Sequence, residues 1–124
     1  MTTVIQDNIN RIILLSLHNK SFRQTANEYK ISYKAITTLL FIYLYPITHN
    51  NTNPLISHLK EFITYYSLDQ LHRYLDSLIS VNLISVNSER VYSITQRGVD
   101  TVNRIAERSG QVIYEFCNKY NIEL

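Results

Sequence analysis

Tryptophan is absent from the 124 residues, and there are only two glycines, two prolines and a single cysteine. Cys117 therefore has no intramolecular disulfide partner, and without a second cysteine there is no CxxC pair to build a structural zinc site. That usage fits a reducing, cytoplasmic setting. His18, His49, His58 and His72 show neither H-x-x-x-H nor HExxH spacing, so no metal is expected, and no phosphate loop or dinucleotide fingerprint implies a cofactor. Scarce glycine and proline argue against an all-β chain, which needs a turn about every 8–12 residues, and predict that helices dominate.

Long apolar runs are missing as well. The longest, residues 39–45, falls far short of the roughly 18 residues a membrane span requires. The start, Met1-Thr2-Thr3-Val4-Ile5-Gln6-Asp7, carries no basic region ahead of an apolar stretch and does not read as a signal peptide, so a soluble protein with no membrane partner is expected. Asn50-Asn51-Thr52 matches a glycosylation acceptor, but without a secretory signal it is read as a loop. No nucleophile elbow or paired acidic motif appears, which argues against an enzyme.

What the chain does have is 45% hydrophobic and 18% charged residues, the balance of one folded domain over 1–124. Val4, Ile5, Ile9, Ile12, Ile13 and Leu17 recur at helical intervals and predict a first helix over 4–17. Residues 18–30 are polar and basic with isolated Phe22 and Tyr29, and read as a long loop or short helical turn. Ser32 caps a second helix ending near Tyr45, because Pro46 prevents continuation. Asn53-Pro54 is a helix start, cap then proline, for a helix to about Ile63.

After the turn Thr64-Tyr65-Tyr66, Ser67 and Gln70 form a capping box that opens a helix to about Val81, with Leu68, Leu71, Leu75, Leu78 and Ile79 inward. Leu83-Ile84-Ser85-Val86 and Val91-Tyr92-Ser93-Ile94 predict a hairpin. Thr95 caps a final helix whose Val99, Val102, Ala106, Ser109, Ile113, Phe116 and Tyr120 have the spacing of a seam, with Gly110 a point of weakness and Cys117 a buried apolar residue.

The predicted class is thus mainly α with a small β-hairpin wing. Helix, short turn, helix and hairpin is the element order of a winged helix-turn-helix, in which the second helix buries one face and leaves the other free to enter a major groove. Here that face carries Asp69, Gln70, Arg73, Tyr74 and Ser77. Gln70 matches an adenine edge and Arg73 a guanine, while Tyr66, Ser67 and Tyr74 have the chemistry to hold phosphate or sugar, and Arg90 at the hairpin tip lies beside the duplex. Lys20, Arg23, Lys30 and Lys34 concentrate the basic excess and are candidate phosphate contacts. Tyr43, Tyr45, Tyr65 and Tyr66 read as packing residues or as the lining of an aromatic pocket.

The run Ser67-Leu68-Asp69-Gln70-Leu71-His72-Arg73-Tyr74-Leu75-Asp76-Ser77-Leu78, with Ile94-Thr95-Gln96-Arg97-Gly98 closing the hairpin, resembles the recognition helix, wing and "LT-x-x-G" close of the MarR group of bacterial regulators. The resemblance implies a winged-helix core over 32–97, dimerisation helices over 1–18 and 97–121, and a homodimer on a pseudo-palindromic site in double-stranded DNA, often with a small-molecule effector pocket. Asn82 stands where that group has glycine, and is expected to take the left-handed backbone this requires. The hairpin is also shorter than the group's usual wing. Between Pro54 and Arg97, four basic and four acidic residues cancel, which keeps a winged-helix protein-binding module open as an alternative, alongside a replication or mobile-element DNA-binding protein.

Overall fold

The computed structural model describes residues 20–121. The expected first helix over 4–17 lies outside them. The elements are α1 (Lys20–Tyr29), α2 (Tyr33–Thr48), α3 (Ile56–Phe62), α4 (Leu68–Ser80), β1 (Ile84–Val86), β2 (Tyr92–Ile94) and α5 (Gln96–Tyr120). The chain is mainly helical with one small antiparallel hairpin, as expected. No single helix among the described residues is long and apolar enough to cross a membrane.

The centre is α2, which packs against α3, α4, β2 and α5. Its fully buried Ile36, Leu39 and Ile42 join Leu59, Leu71, Leu75, Leu78, Leu83, Ile84 and Ile105 in one core. Each such aliphatic side chain stabilises the fold by about 1.5–3 kcal/mol through burial. Ser32 caps α2 as predicted, its side chain accepting the Lys34 N–H at 3.1 Å. Pro46 does not end the helix. It lacks only one N–H, and the last turn is closed instead by Thr48 Oγ1, which donates to the Leu44 and Tyr45 carbonyls, and by His49 Nδ1 against the Tyr45 carbonyl at 3.0 Å. Asn50 and Asn51 then take left-handed backbone to turn the chain.

The polar stretch read as a long loop or short helical turn is a ten-residue helix, α1. Its inward face is made of Ser21, Phe22, Thr25 and Ala26, so two of four buried positions are hydroxylic and the apolar period is masked. Both hydroxyls are satisfied by carbonyls, one within α1 and one on α5: Thr25 Oγ1 donates to the Ser21 carbonyl at 3.0 Å, and Ser21 Oγ donates to the Ile105 carbonyl at 3.5 Å. Much of the contact between α1 and α5 is polar. Glu28 bridges Arg104 at 3.5 Å and Arg108 at 2.7 Å, and the Arg97 guanidinium lies over the Tyr29 ring. Thr101 Oγ1 donates to the Arg97 carbonyl and shares a 2.7 Å hydrogen bond with the Tyr29 hydroxyl, which accepts from Arg104. Burial opposes ionisation of Tyr29, but hydrogen bonding with Thr101, Arg97 and Arg104 and the charge of Arg104 together bring it below the usual tyrosine range.

Asn53-Pro54 does not start α3. Asn53 Nδ2 donates to Ser93 Oγ at 3.2 Å and the Pro54 carbonyl accepts the Tyr92 N–H at 2.9 Å, so this segment lies along β2 as a one-sided edge, the geometry a residue without an N–H permits. The helix begins two residues on, where His58 Nδ1 accepts the Leu55 N–H at 3.1 Å. At the other end of the chain, α5 runs unbroken through Gly110. Of its predicted seam, Val102 and Ser109 are buried, Val99 is half-buried and Ala106 is exposed; Ile105, not predicted, is buried. Cys117 is half-buried rather than buried.

Candidate nucleic-acid interface

The helix pair consists of α3 and α4, joined by residues 63–67, and an edge-to-face chain of aromatic rings fixes one helix on the other. Phe41 of α2 meets Phe62 at 5.3 Å and Tyr65 at 6.4 Å, Tyr65 meets Tyr66 at 4.7 Å, and Tyr66 meets Tyr74 at 5.1 Å. Such pairs add about 0.5–1.5 kcal/mol each beyond burial. This corrects two expectations. Tyr66 and Tyr74 are 7% and 9% exposed, so their rings belong to the core behind the helix pair and not to the free face of α4. Burial, with repulsion from Tyr65 and Tyr74 once they ionise, pushes Tyr66 up to about 12.

The capping box is formed as read: Ser67 Oγ accepts the Gln70 N–H at 3.2 Å, and Gln70 Oε1 accepts the Ser67 N–H at 2.9 Å. Gln70 is half-buried with its carbonyl oxygen committed, and its Nε2 donors have no hydrogen bond among the described residues. Ser77 is half-buried and donates to the Arg73 carbonyl at 2.9 Å. Asp69 and Arg73 are exposed as predicted, and with them His72 and Asp76, which sequence reasoning left out. Spacings of three, four and seven place these four ionisable side chains on one face, and none makes a hydrogen bond or ion pair among the described residues. The signal for His72 and Asp76 was the same helical arithmetic that identified Arg73.

The wing is fastened to α4 at its base. After Val81, Asn82 takes φ 63°, the left-handed geometry expected of it, and the Leu83 N–H returns to the Leu78 carbonyl at 3.0 Å. Thr95 then works in three directions. Its N–H donates to the Leu83 carbonyl, its hydroxyl donates to the Asn82 carbonyl at 2.8 Å, and the same oxygen accepts the Gly98 N–H at 3.1 Å. Gly98 is required by close approach: a Cβ there would overlap the Leu83 carbonyl oxygen. The T-x-x-G signature is thus a clasp between α4, the hairpin and α5.

The strands pair Ile84 with Ile94, Ser85 with Ser93 and Val86 with Tyr92. At the tip Asn87 Oδ1 accepts the N–H groups of Glu89 and Val91, and Arg90, exposed, sits at φ 63°. Burial first, then the Asp76 charge, raises the Tyr92 pKa against an opposing pull from Arg90.

Lys20, Arg23 and Lys30 are exposed on or just after α1, and Lys34 is half-buried on α2; the Arg23 guanidinium rests 5.2 Å from the Tyr33 ring centroid. Of the four junction tyrosines, Tyr45 and Tyr66 are core residues, Tyr43 is half-buried, and Tyr65 lines an apolar cavity of about 250 Å³ with Phe22, Leu40, Phe41 and Leu44. No group of three or more metal-ligating side chains occurs among the described residues.

No known family profile and no curated protein matches the sequence. A solved structure does match the fold: a multiple antibiotic-resistance repressor (MarR) from Listeria monocytogenes, with a TM-score of 0.64 over 94% of this chain and 83% of that one, at 15% sequence identity. The chain has a MarR-like winged-helix fold. In the MarR-like frame, α3 and α4 are the helix pair, β1 and β2 the wing, and α5 the long carboxy-terminal helix.

Proposed function

We propose that this chain is a sequence-specific DNA-binding transcriptional regulator, a repressor, and not an enzyme, and that it acts in the cytoplasm as a homodimer on a pseudo-palindromic site. The observation that carries this reading is the outer face of α4, next in the chain to the clasped wing, where Asp69, His72, Arg73 and Asp76 stand exposed with no ion pair among the described residues. Arg73 donates to guanine O6 and N7, the free donors of Gln70 reach an adenine or a phosphate, and Ser67 and Ser77 hold the backbone. Asp69 accepts from a base amino group, since a carboxylate gains nothing from phosphate. Arg90 borders the minor groove, and Lys20, Arg23, Lys30 and Lys34 supply phosphate contacts. The amino-terminal residues and α5 join two copies so that the recognition helices fall about 34–36 Å apart. The 250 Å³ cavity beside Tyr65 fits a small apolar or aromatic effector.

Selection of bound duplexes from a random pool tests the reading, because a recovered motif with two-fold symmetry reports DNA recognition and dimerisation together. Arg73→Ala should then weaken the selected site by about 1–3 kcal/mol, roughly tenfold to a hundredfold, with helicity unchanged. Unaltered affinity would remove Arg73 from the interface. A second reading, a protein-binding winged helix, draws support from charge: two carboxylates against one guanidinium leave the α4 face net negative while His72 is neutral. A gel shift at low and moderate salt against bulk competitor separates the two.

A further inference from the structure

We propose that binding of this chain to DNA is proton-coupled, with His72 taking up a proton as α4 enters the groove; the inference rests on the DNA-binding reading above. On the exposed face of α4, His72 has Asp69 one turn before it, Arg73 beside it and Asp76 one turn after it, and none of the four side chains makes a hydrogen bond or ion pair among the described residues. With a neutral imidazole the face carries one net negative charge, so seating it between two phosphate strands is opposed electrostatically and releases no counterions. Histidine is the side chain suited to exchange a proton under physiological conditions, and one proton added to this face cancels its net charge. Asp69 and Asp76 lie within side-chain reach of the imidazolium on the helix surface, and the duplex adds phosphates that the free protein lacks. The bound state therefore holds the proton more tightly than the free state, and affinity rises as pH falls.

The surroundings do not cancel this arrangement. Of the elements packed on α4, α2 contributes one charged side chain, Lys34, and β1 none. The preceding helix adds Lys60 and Glu61, and the wing tip Glu89 and Arg90, each pair self-compensating. His49 and His58 are engaged elsewhere. They flank the Tyr45 ring at 3.9 and 5.8 Å, with Nδ1 of His49 against the Tyr45 carbonyl and Nδ1 of His58 accepting from Leu55. His18 lies outside the described residues.

The test uses the full chain and the duplex recovered from the random-pool selection, with affinity measured by fluorescence anisotropy from about pH 6 to about pH 8 at constant ionic strength. Affinity should tighten at least about threefold on going to the acid end, and by no more than about tenfold per pH unit for each recognition helix, the limit of one proton taken up. His72→Gln, which keeps hydrogen-bonding capacity but stays neutral, should lose that slope, and His72→Arg should bind with little pH dependence. Titration calorimetry in two buffers of different ionisation heat counts the protons directly, and circular dichroism confirms that each variant is folded. A flat profile for the parent chain, or an undiminished slope in His72→Gln, overturns proton coupling at His72 while leaving DNA binding intact. Failure to recover any duplex at either pH overturns the DNA-binding reading and this inference with it.

Discussion

Two glycines on one helix should respond to the same substitution with opposite signs. At Gly98, alanine would drive its Cβ into the Leu83 carbonyl oxygen and to 2.6 Å from Ile94 Cγ1. The first obstacle is backbone, and that carbonyl already accepts the Thr95 N–H at 3.1 Å, so no rotamer change relieves the overlap. The hairpin base must separate from α5, straining the clasp that Thr95 makes to Asn82 and Gly98. Overpacking of this kind costs about 1–3 kcal/mol or more, and the gain in helix propensity, at most about 1 kcal/mol, offsets only part of it. A net loss of roughly 1–2 kcal/mol corresponds to a fall in thermal midpoint of about 3–8 °C for a chain of this size. At Gly110, a Cβ meets nothing within 4 Å among the described residues, so Gly110→Ala should stabilise by up to about 1 kcal/mol. Urea denaturation followed by circular dichroism reads both. A Gly98→Ala variant as stable as its parent, or a Gly110→Ala variant that loses more than Gly98→Ala, would refute the reasoning.

Other expectations follow from the same contacts. Ser67→Ala removes the acceptor for the Gln70 N–H and should cost about 0.5–2 kcal/mol in a thermal melt, with a small loss of helicity. Glu28→Gln abolishes the bridge to Arg104 and Arg108; because these groups are 28–42% exposed, the loss should be about 1 kcal/mol or less and should shrink in high salt. Tyr66 is raised by burial from 10.0 to about 12, so the stability it supports is complete below about pH 10 and is lost as pH rises through about 12. Tyr66→Phe keeps the ring and should flatten the alkaline end of the stability profile, which a series of melts against pH would show.

The caps were legible in the sequence because they are local chemistry. Ser32, the Ser67–Gln70 box, Thr95 and the left-handed Asn82 each depend on a few neighbouring residues, and each is where the reading put it. The inward faces of α2 and α4 were legible for a related reason: aliphatic residues at three- and four-residue steps have one way to leave water. Helix α1 was not, because Ser21 and Thr25 are buried there through hydrogen bonds that hydropathy does not register. Pro46 and Asn53-Pro54 misled in a shared way, since a proline marks a missing N–H but not whether Thr48, His49 or the edge of β2 will make good the geometry.

The candidate interface divides along the same line. Asp69 and Arg73 could be placed from helical spacing alone, and the same spacing held His72 and Asp76. Tyr66 and Tyr74 could not, because a tyrosine is equally suited to a phosphate or to a core, and only the rings of Phe41, Phe62 and Tyr65 decide which. By itself, then, the sequence determined the helices that aliphatic spacing and side-chain caps specify, since those depend on residues within a turn or two of one another. Tertiary structure alone decided which amphipathic side chains are covered and which ionisable ones stay bare, because burial depends on what distant segments bring to the same place.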